Sequence, residues 1–280
     1  RASREFVNAP RAPPPAPKPS RNVIGRRHCA PCMMATSPSG TECQHLEHRG
    51  CRLAYRVTGA GARVLFIQGS GLHGDGWRPQ VDELSKRYRC LTFDNRGMGG
   101  SQPIGSRITV EQMAEDARVL MDAEGWDSAH VVGHSLGGLV ALHLALSDRT
   151  RVRSLSLLCT FADGRAATRF SWGMFWLGLR TYLGTRRMRR RAFTEMVLPP
   201  DLWVDRDTWA VRLAPLFGHD LADQPAVVLK QLAALRAYDA TPRLHELAGF
   251  PTLVVGARYD RIARPEVVRA LASSLAGSRL

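Results

Sequence analysis

The sequence contains no uninterrupted apolar run that approaches the roughly 18 residues a membrane span requires. Its first residues also lack the basic-then-apolar pattern of a signal peptide, and we therefore expect a cytoplasmic protein. Disorder throughout is excluded, because 44% of the 280 residues are hydrophobic and 23% are charged, as in globular proteins. The length suits one large α/β domain or two small domains.

Lysine is nearly absent, since Lys18, Lys86 and Lys230 are the only lysines among 39 basic residues. With 25 acidic residues the net charge is +14, which alone would indicate nucleic acid or an acidic membrane as partner. The excess is local, because residues 1–40 and residues 160–200 each carry a net +6. The rest of the chain is nearly neutral, and we expect no nucleic-acid partner.

Cysteine is too scarce for a disulfide-stabilised fold, with six residues in this length. Cys29 and Cys32 form one C-x-x-C without the second pair that a zinc site needs. We expect no metal ion. Both cysteines lie in residues 1–40, which hold eight of the 17 prolines and little apolar periodicity. We interpret residues 1–40 as a disordered tail or a gene-model artefact.

Short apolar strands alternate with helical patterns from residue 43 onward, which predicts an α/β fold with a mostly parallel sheet flanked by helices. Residues 45–57 predict a hairpin that precedes the parallel strands. The alternation stops over residues 161–240, which are predicted to be helical, and then resumes. We expect a core formed by residues 43–160 and 241–280. The helical insert would cap the carboxyl edge of the sheet, where α/β proteins place their sites.

Gly133-His-Ser-Leu-Gly137 stands where a predicted strand gives way to a predicted helix. In that context G-x-S-x-G predicts a nucleophile elbow, a strained turn that exposes the hydroxyl of Ser135 above the sheet. The alternative is a glycine-rich turn with an incidental serine. The backbone N–H of Leu136 is the first expected oxyanion-hole donor. The N–H of Ser70, in the loop after an earlier strand, is the second.

Several segments resemble the capped serine-hydrolase branch of the α/β-hydrolase family over about residues 43–280. They are Gln68-Gly-Ser-Gly with Trp77, Asp94-Asn-Arg-Gly-Met-Gly-Gly-Ser101, Gly133-His-Ser-Leu-Gly-Gly138 and Pro251-Thr-Leu-Val-Val-Gly-Ala-Arg-Tyr-Asp260. The resemblance implies the α/β-hydrolase fold and the order serine, acid, histidine along the chain. It implies Asp260 as the acid, with Asp163 as the fallback. Gln68 departs from the family, which usually carries His-Gly at this place.

The family's catalytic histidine is missing, because no histidine follows Asp260 and the last one is His245. The family places it after one more strand, of which Ser278–Leu280 would be the beginning. We expect that the sequence is truncated and that the final strand is missing, and a pseudoenzyme is the alternative. The chain as given would then turn over little substrate. His73, in the predicted oxyanion loop, is the one histidine retained as a replacement base.

The predicted cap contains an aromatic stretch, Phe170–Leu179, followed by five arginines within residues 186–191. We favour aromatics packed on the core and arginines in solvent over membrane contact, which stays the alternative. The resemblance implies a cofactor-free serine hydrolase of small or medium apolar esters or lactones, with an acyl-enzyme on Ser135. C–C hydrolase, haloperoxidase and acyltransferase chemistry stay open, as does a non-catalytic binding protein. The sequence indicates no oligomeric state.

Overall fold

The computed structural model describes residues 42–169 and 171–280, and the predicted tail, residues 1–40, lies outside them. The strands are β1 (Gln44–His48), β2 (Cys51–Thr58), β3 (Ala62–Ile67), β4 (Tyr88–Phe93), β5 (Ala129–His134), β6 (Val152–Leu158) and β7 (Thr252–Val255). Within the described residues they form one sheet in the order β1-β2-β4-β3-β5-β6-β7. β2 runs antiparallel to both of its neighbours, and β4, β3, β5, β6 and β7 are mutually parallel. The predicted α/β-hydrolase fold is confirmed in this topology.

The hairpin at the start of the described chain has a two-residue turn, in which Arg49 and Gly50 have φ angles of 47° and 73°. Positive φ at both central residues matches the twist of the flanking strands and favours glycine at the second position. His48 therefore pairs directly with Cys51 in the antiparallel register.

The central strands are buried on both faces, as strands covered by helices on each side must be. In β3, Val64 and Phe66 pack with Trp77 in one buried cluster, whereas Leu65 and Ile67 belong to the larger cluster on the opposite face. The period-2 alternation of side chains in a strand produces this division.

The α-helices lie between and after the strands. They are α1 (Arg78–Leu84), α2 (Val110–Ala123), α3 (Leu136–Ser147), α4 (Gly164–Ala167), α5 (Trp172–Arg180), α6 (Arg186–Val197), α7 (Arg206–Phe217), α8 (Val227–Ala237) and α9 (Pro265–Ser274). Thr109 caps α2, because its side chain accepts a hydrogen bond from the N–H of Gln112. Helices α4 to α8 fall between β6 and β7, and in that interval the described residues contain no strand.

The last residues extend the sheet beyond β7. Arg279 pairs in parallel with Leu253, its N–H donating to the oxygen of Thr252 at 2.9 Å and its oxygen accepting from Val254 at 2.7 Å. The prediction that a strand begins at Ser278–Leu280 agrees with this pairing. Among the described residues, no helix has the length and apolar character needed to cross a membrane.

Candidate active site

Ser135 occupies the sharp turn between β5 and α3. Its φ of 50° and ψ of −117° lie in a strained region for a residue with a side chain. The surrounding hydrogen bonds fix this conformation: the Ser135 N–H donates to Leu158 O at 2.9 Å, and its oxygen accepts from Thr160 Oγ1 at 2.7 Å and from the Gly138 N–H at 2.9 Å. Hydrogen bonds with Leu158 of β6, with Thr160 and with Gly138 of α3 therefore keep the predicted nucleophile in this strained conformation.

Three glycines leave the room that this turn requires. A Cβ on Gly133 would stand 2.4 Å from the oxygen of Gly137, and one on Gly137 would stand 2.2 Å from the oxygen of Ile67. A Cβ on Gly138 would lie 2.4 Å from Thr160 Oγ1. Backbone approach this close excludes a side chain at the first two positions. The strand, turn and helix thus pack as the elbow motif predicts.

The loop Gln68–Gly71 follows β3 and lies beside the elbow. Gln68 is buried, and its Oε1 accepts from the Gly69 N–H at 3.0 Å and from His134 Nδ1 at 3.1 Å. The departure from the family's His-Gly therefore has a structural use, since the glutamine ties the loop to the elbow. Asn95 also donates to Gln68 O at 2.8 Å.

Two backbone donors face no acceptor within the described residues. The Gly69 N–H is taken by Gln68, whereas the Ser70 N–H has no hydrogen-bond partner there. The Leu136 N–H begins α3, whose first amides have no intrahelical acceptor. Ser70 and Leu136 stay the predicted oxyanion-hole donors.

Asp260 lies five residues beyond β7 at the same edge of the sheet. Its Oδ1 accepts from the Ile262 and Ala263 N–H groups, both at 2.8 Å. Burial raises the pKa of Cys159 to about 11, and the neighbouring Asp260 carboxylate adds to that rise. Burial also lowers the pKa of His134, against the opposing charge of Asp260. The carboxylate is thus brought to the end of β6 and to the elbow.

Comparisons with known proteins agree with this geometry. The family model described as the alpha/beta hydrolase fold matches residues 62–280. The chain belongs to the α/β-hydrolase fold family. RutD of Rhizobium rhizogenes, a protein assigned as a carbamate hydrolase, is 34% identical over 207 residues, which cover 70% of this chain and 74% of that protein. The RutD of Azorhizobium caulinodans, assigned likewise, is 29% identical over 81% of this chain and 84% of its own length.

Solved structures also place this chain among the α/β-fold hydrolases. A hydrolase from Pseudomonas aeruginosa PA01 has a TM-score of 0.71 and 27% identity, over 85% of this chain and 88% of that one. The enol-lactonase from Burkholderia xenovorans LB400 has a TM-score of 0.68 and 26% identity, over 84% and 89% of the two chains.

The fallback acid of the hydrolase, Asp163, lies elsewhere on the carboxyl side of the sheet. Its Oδ1 accepts from the Arg165 N–H at 2.8 Å, which caps the start of α4. It also lines a cleft of about 430 Å³ together with residues of α8, among them Arg236. No hydrogen bond joins Asp163 to Ser135 within the described part of the chain.

No histidine in residues 42–169 and 171–280 is hydrogen-bonded to Ser135 or Asp260, and the identity of the catalytic base stays a prediction. His134 is engaged with Gln68, and His73 stacks loosely near His219, with ring centroids 6.4 Å apart. His28 lies outside the described residues. Residues 42–169 and 171–280 also hold no cluster of ligating side chains suited to a metal ion.

Asp94 and Arg96 anchor the loop that follows β4. Asp94 accepts from the Gly74 N–H at 2.7 Å and from the Gly100 N–H at 2.8 Å. Arg96 is fully buried and binds Asp116 through two bonds of 2.9 and 2.6 Å. These groups therefore serve the conformation of the loop.

The aromatic helix α5 of the predicted cap is more exposed than expected. The aromatics of α5 do not all pack on the core, because Trp172, Phe175 and Trp176 are 78%, 52% and 56% exposed, and that prediction is wrong for these three. Met174 and Leu177 take the buried face instead. Helical spacing puts the two sets on opposite sides, since the exposed residues follow the i, i+3, i+4 pattern.

The arginines of α6 do not simply face solvent. All five bind carboxylates from the following elements, namely Asp207, Asp220 and Asp223. Hydrogen bonds from Arg191 and Arg190 hold the pKa values of Asp207 and Asp220 well below the usual range. The basic charge of α6 is thus largely paired with carboxylates at the surface of the insert.

Sequence reasoning missed three residues that hold the site. Thr160 bonds to the elbow oxygen, and Gln231 and His219 bond to the loop that contains Ser70. Of these three residues, only Thr160 could have been predicted from its place in the sequence, since it follows β6 at the carboxyl edge of the sheet.

Proposed function

We propose that this protein is a serine hydrolase that cleaves a small or medium apolar ester or lactone through an acyl-enzyme on Ser135. The observation that carries the proposal is the strained φ of 50° at Ser135, enforced by glycine packing at the turn between β5 and α3. Backbone strain at the nucleophile is a known feature of functional sites. The lactonase and hydrolase neighbours support the substrate class.

The proposed reaction begins when Ser135 Oγ attacks the substrate carbonyl and loses its proton to a histidine. The N–H groups of Leu136 and Ser70 stabilise the negative charge that develops on the carbonyl oxygen. The alcohol leaves with the proton, and water then releases the acid from Ser135 by the same steps in reverse order. Asp260 orients the histidine and stabilises its imidazolium.

The nucleophile is tested by labelling the protein with a fluorophosphonate probe, which reacts with activated serines. We expect the protein to be labelled, and Ser135→Ala to abolish labelling and ester hydrolysis. Ser147→Ala is the matched control, because Ser147 Oγ lies 2.9 Å from His143 Nε2 and forms another serine–histidine pair. Labelling that survives Ser135→Ala, or disappears with Ser147→Ala, contradicts the proposal.

The acid and the base are tested separately. Asp260→Asn should lower kcat by a factor of about 10⁴, as loss of the orienting carboxylate does in related triads, whereas Asp163→Asn should not. His73→Asn should leave hydrolysis of a p-nitrophenyl ester unchanged, because His73 has no hydrogen bond to Ser135 or Asp260 within the described residues. Robust hydrolysis that His73→Asn removes would assign the base to His73 instead.

A carbamate is the second candidate substrate, favoured by the resemblance to two proteins assigned as carbamate hydrolases. The same nucleophile and oxyanion donors serve either substrate, since both are acyl compounds attacked at a carbonyl carbon. Comparison of kcat/KM for matched ester and carbamate substrates distinguishes them. A preference for the carbamate of tenfold or more would replace the ester in the proposal.

A further inference from the structure

Two cap residues hold Gly71, the residue after Ser70. Its N–H donates to Gln231 Oε1 at 3.0 Å, and its oxygen accepts from His219 Nε2 at 3.0 Å. Gly71 has a φ of 75°, which favours glycine. Gln231 belongs to α8, and His219 follows α7. The conformation of this loop therefore depends on contacts from the cap insert.

The side-chain amide of Gln231 has only one orientation that fits these contacts. The Gly71 N–H can only donate, so Oε1 must face it, and Ser70 Oγ donates to the same oxygen at 3.0 Å. This leaves Nε2 without a hydrogen-bond partner within the described residues, although Gln231 is fully buried. An unpaired buried donor is unfavourable. The hydrogen bonds to the loop therefore determine the orientation of the amide, even though this orientation leaves Nε2 unpaired.

The peptide that carries the Ser70 N–H lies between two anchored peptides. Gln68 Oε1 holds the preceding one through the Gly69 N–H, and Gln231 Oε1 holds the following one through the Gly71 N–H. If either anchor is lost, the middle peptide can rotate about Gly69 ψ and Ser70 φ, and the glycine leaves the first of these bonds soft. The direction of the Ser70 N–H then becomes variable.

We propose that Gln231 is a positioning residue that aims the Ser70 N–H at the substrate oxyanion from the cap side. The inference rests on the proposed function, since it assumes an acyl transfer at Ser135. A donor that is fixed before the reaction stabilises the transition state more than the bound substrate. Loss of Gln231 should therefore change kcat and leave substrate binding almost intact.

Gln231→Met is the test, because methionine has similar volume and no oxygen acceptor. We expect kcat for a p-nitrophenyl ester to fall by about 10- to 100-fold, with KM within about threefold of the parent. The rate of fluorophosphonate labelling should fall with kcat. The matched control is Gln224→Met, since Gln224 Nε2 donates to Leu221 O, inside the cap, at 3.2 Å. It should leave both constants unchanged.

His219→Phe is the second variant, because it removes the other contact to Gly71 and keeps a planar ring. It should also lower kcat more than it raises KM. The double variant should lose less than the product of the two single effects, since both act through one residue. A kcat within twofold of the parent in Gln231→Met and in His219→Phe overturns the inference while the proposed function stands. Activity that survives Ser135→Ala overturns both.

Discussion

Gly137→Ala changes the closest contact in the elbow by a single methyl group. The new Cβ would stand 2.2 Å from Ile67 O and 2.8 Å from Gln68 O, both of them backbone atoms at the start of the oxyanion loop. Ordinary contact begins near 3.4 Å, so α3 and the loop must separate by about 1 Å. That displacement moves the Ser70 N–H away from Ser135.

The magnitude follows from the displacement. Overpacking of this kind costs about 1–3 kcal/mol of folding stability. A misplacement of about 1 Å in a catalytic group lowers the rate by roughly 100-fold. We therefore expect Gly137→Ala to lower both the melting temperature and kcat, measured by thermal unfolding and by ester hydrolysis.

Gly178→Ala provides the matched control for the same chemical change. Gly178 lies inside α5, and a Cβ there meets no atom within 4 Å. Alanine in place of glycine inside a helix should stabilise the fold by about 0.5–1 kcal/mol and leave kcat unaltered. If Gly137→Ala keeps its melting temperature and retains kcat within twofold, the close packing of loop and elbow is refuted.

Two further predictions concern stability. Arg96→Met leaves the Asp116 carboxylate buried without its guanidinium, and should cost about 3–5 kcal/mol, seen as a lower midpoint in urea; a loss under 1 kcal/mol would contradict this. Burial lowers the pKa values of His130, His134 and His143 in the folded chain. Below about pH 6.5 the unfolded chain binds protons that the folded chain does not, so stability should fall as the pH drops from 8 to 5.5. A melting temperature that is constant or higher at pH 5.5 would show that other groups dominate.

The hairpin and the elbow could be predicted because each depends on neighbouring residues. Arg49-Gly50 is a two-residue turn between two alternating strands, and Gly133 to Gly137 span the end of β5 and the start of α3. In both cases the backbone angles follow from residue type within a few positions. Such local signals do not depend on the rest of the chain.

The contacts that the cap makes could not be predicted in this way. Gln231 lies 160 residues from Gly71, and nothing in α8 marks the inward-facing glutamine as different from any polar residue in a helix. The arginines of α6 showed the same limit. Their charge was visible, but the acids that bind them come from α7 and the loop after it. The hydrophobic periodicity of the insert predicts its helices, but it does not predict which residues of other elements those helices contact.

The close packing of Gly138 against the side chain of Thr160 limits which residues related sequences can carry at these two positions. Thr160 is fully buried, and three of its side-chain atoms lie within 2.6 Å of the place where a Cβ of residue 138 would stand. An alanine at 138 would therefore require glycine at 160, because the Thr160 Cβ itself lies 2.5 Å from that place, and glycine would also remove the hydroxyl that bonds to the oxygen of Ser135. The two positions should change together among relatives, and a relative with the pair altered should hold its nucleophile less rigidly.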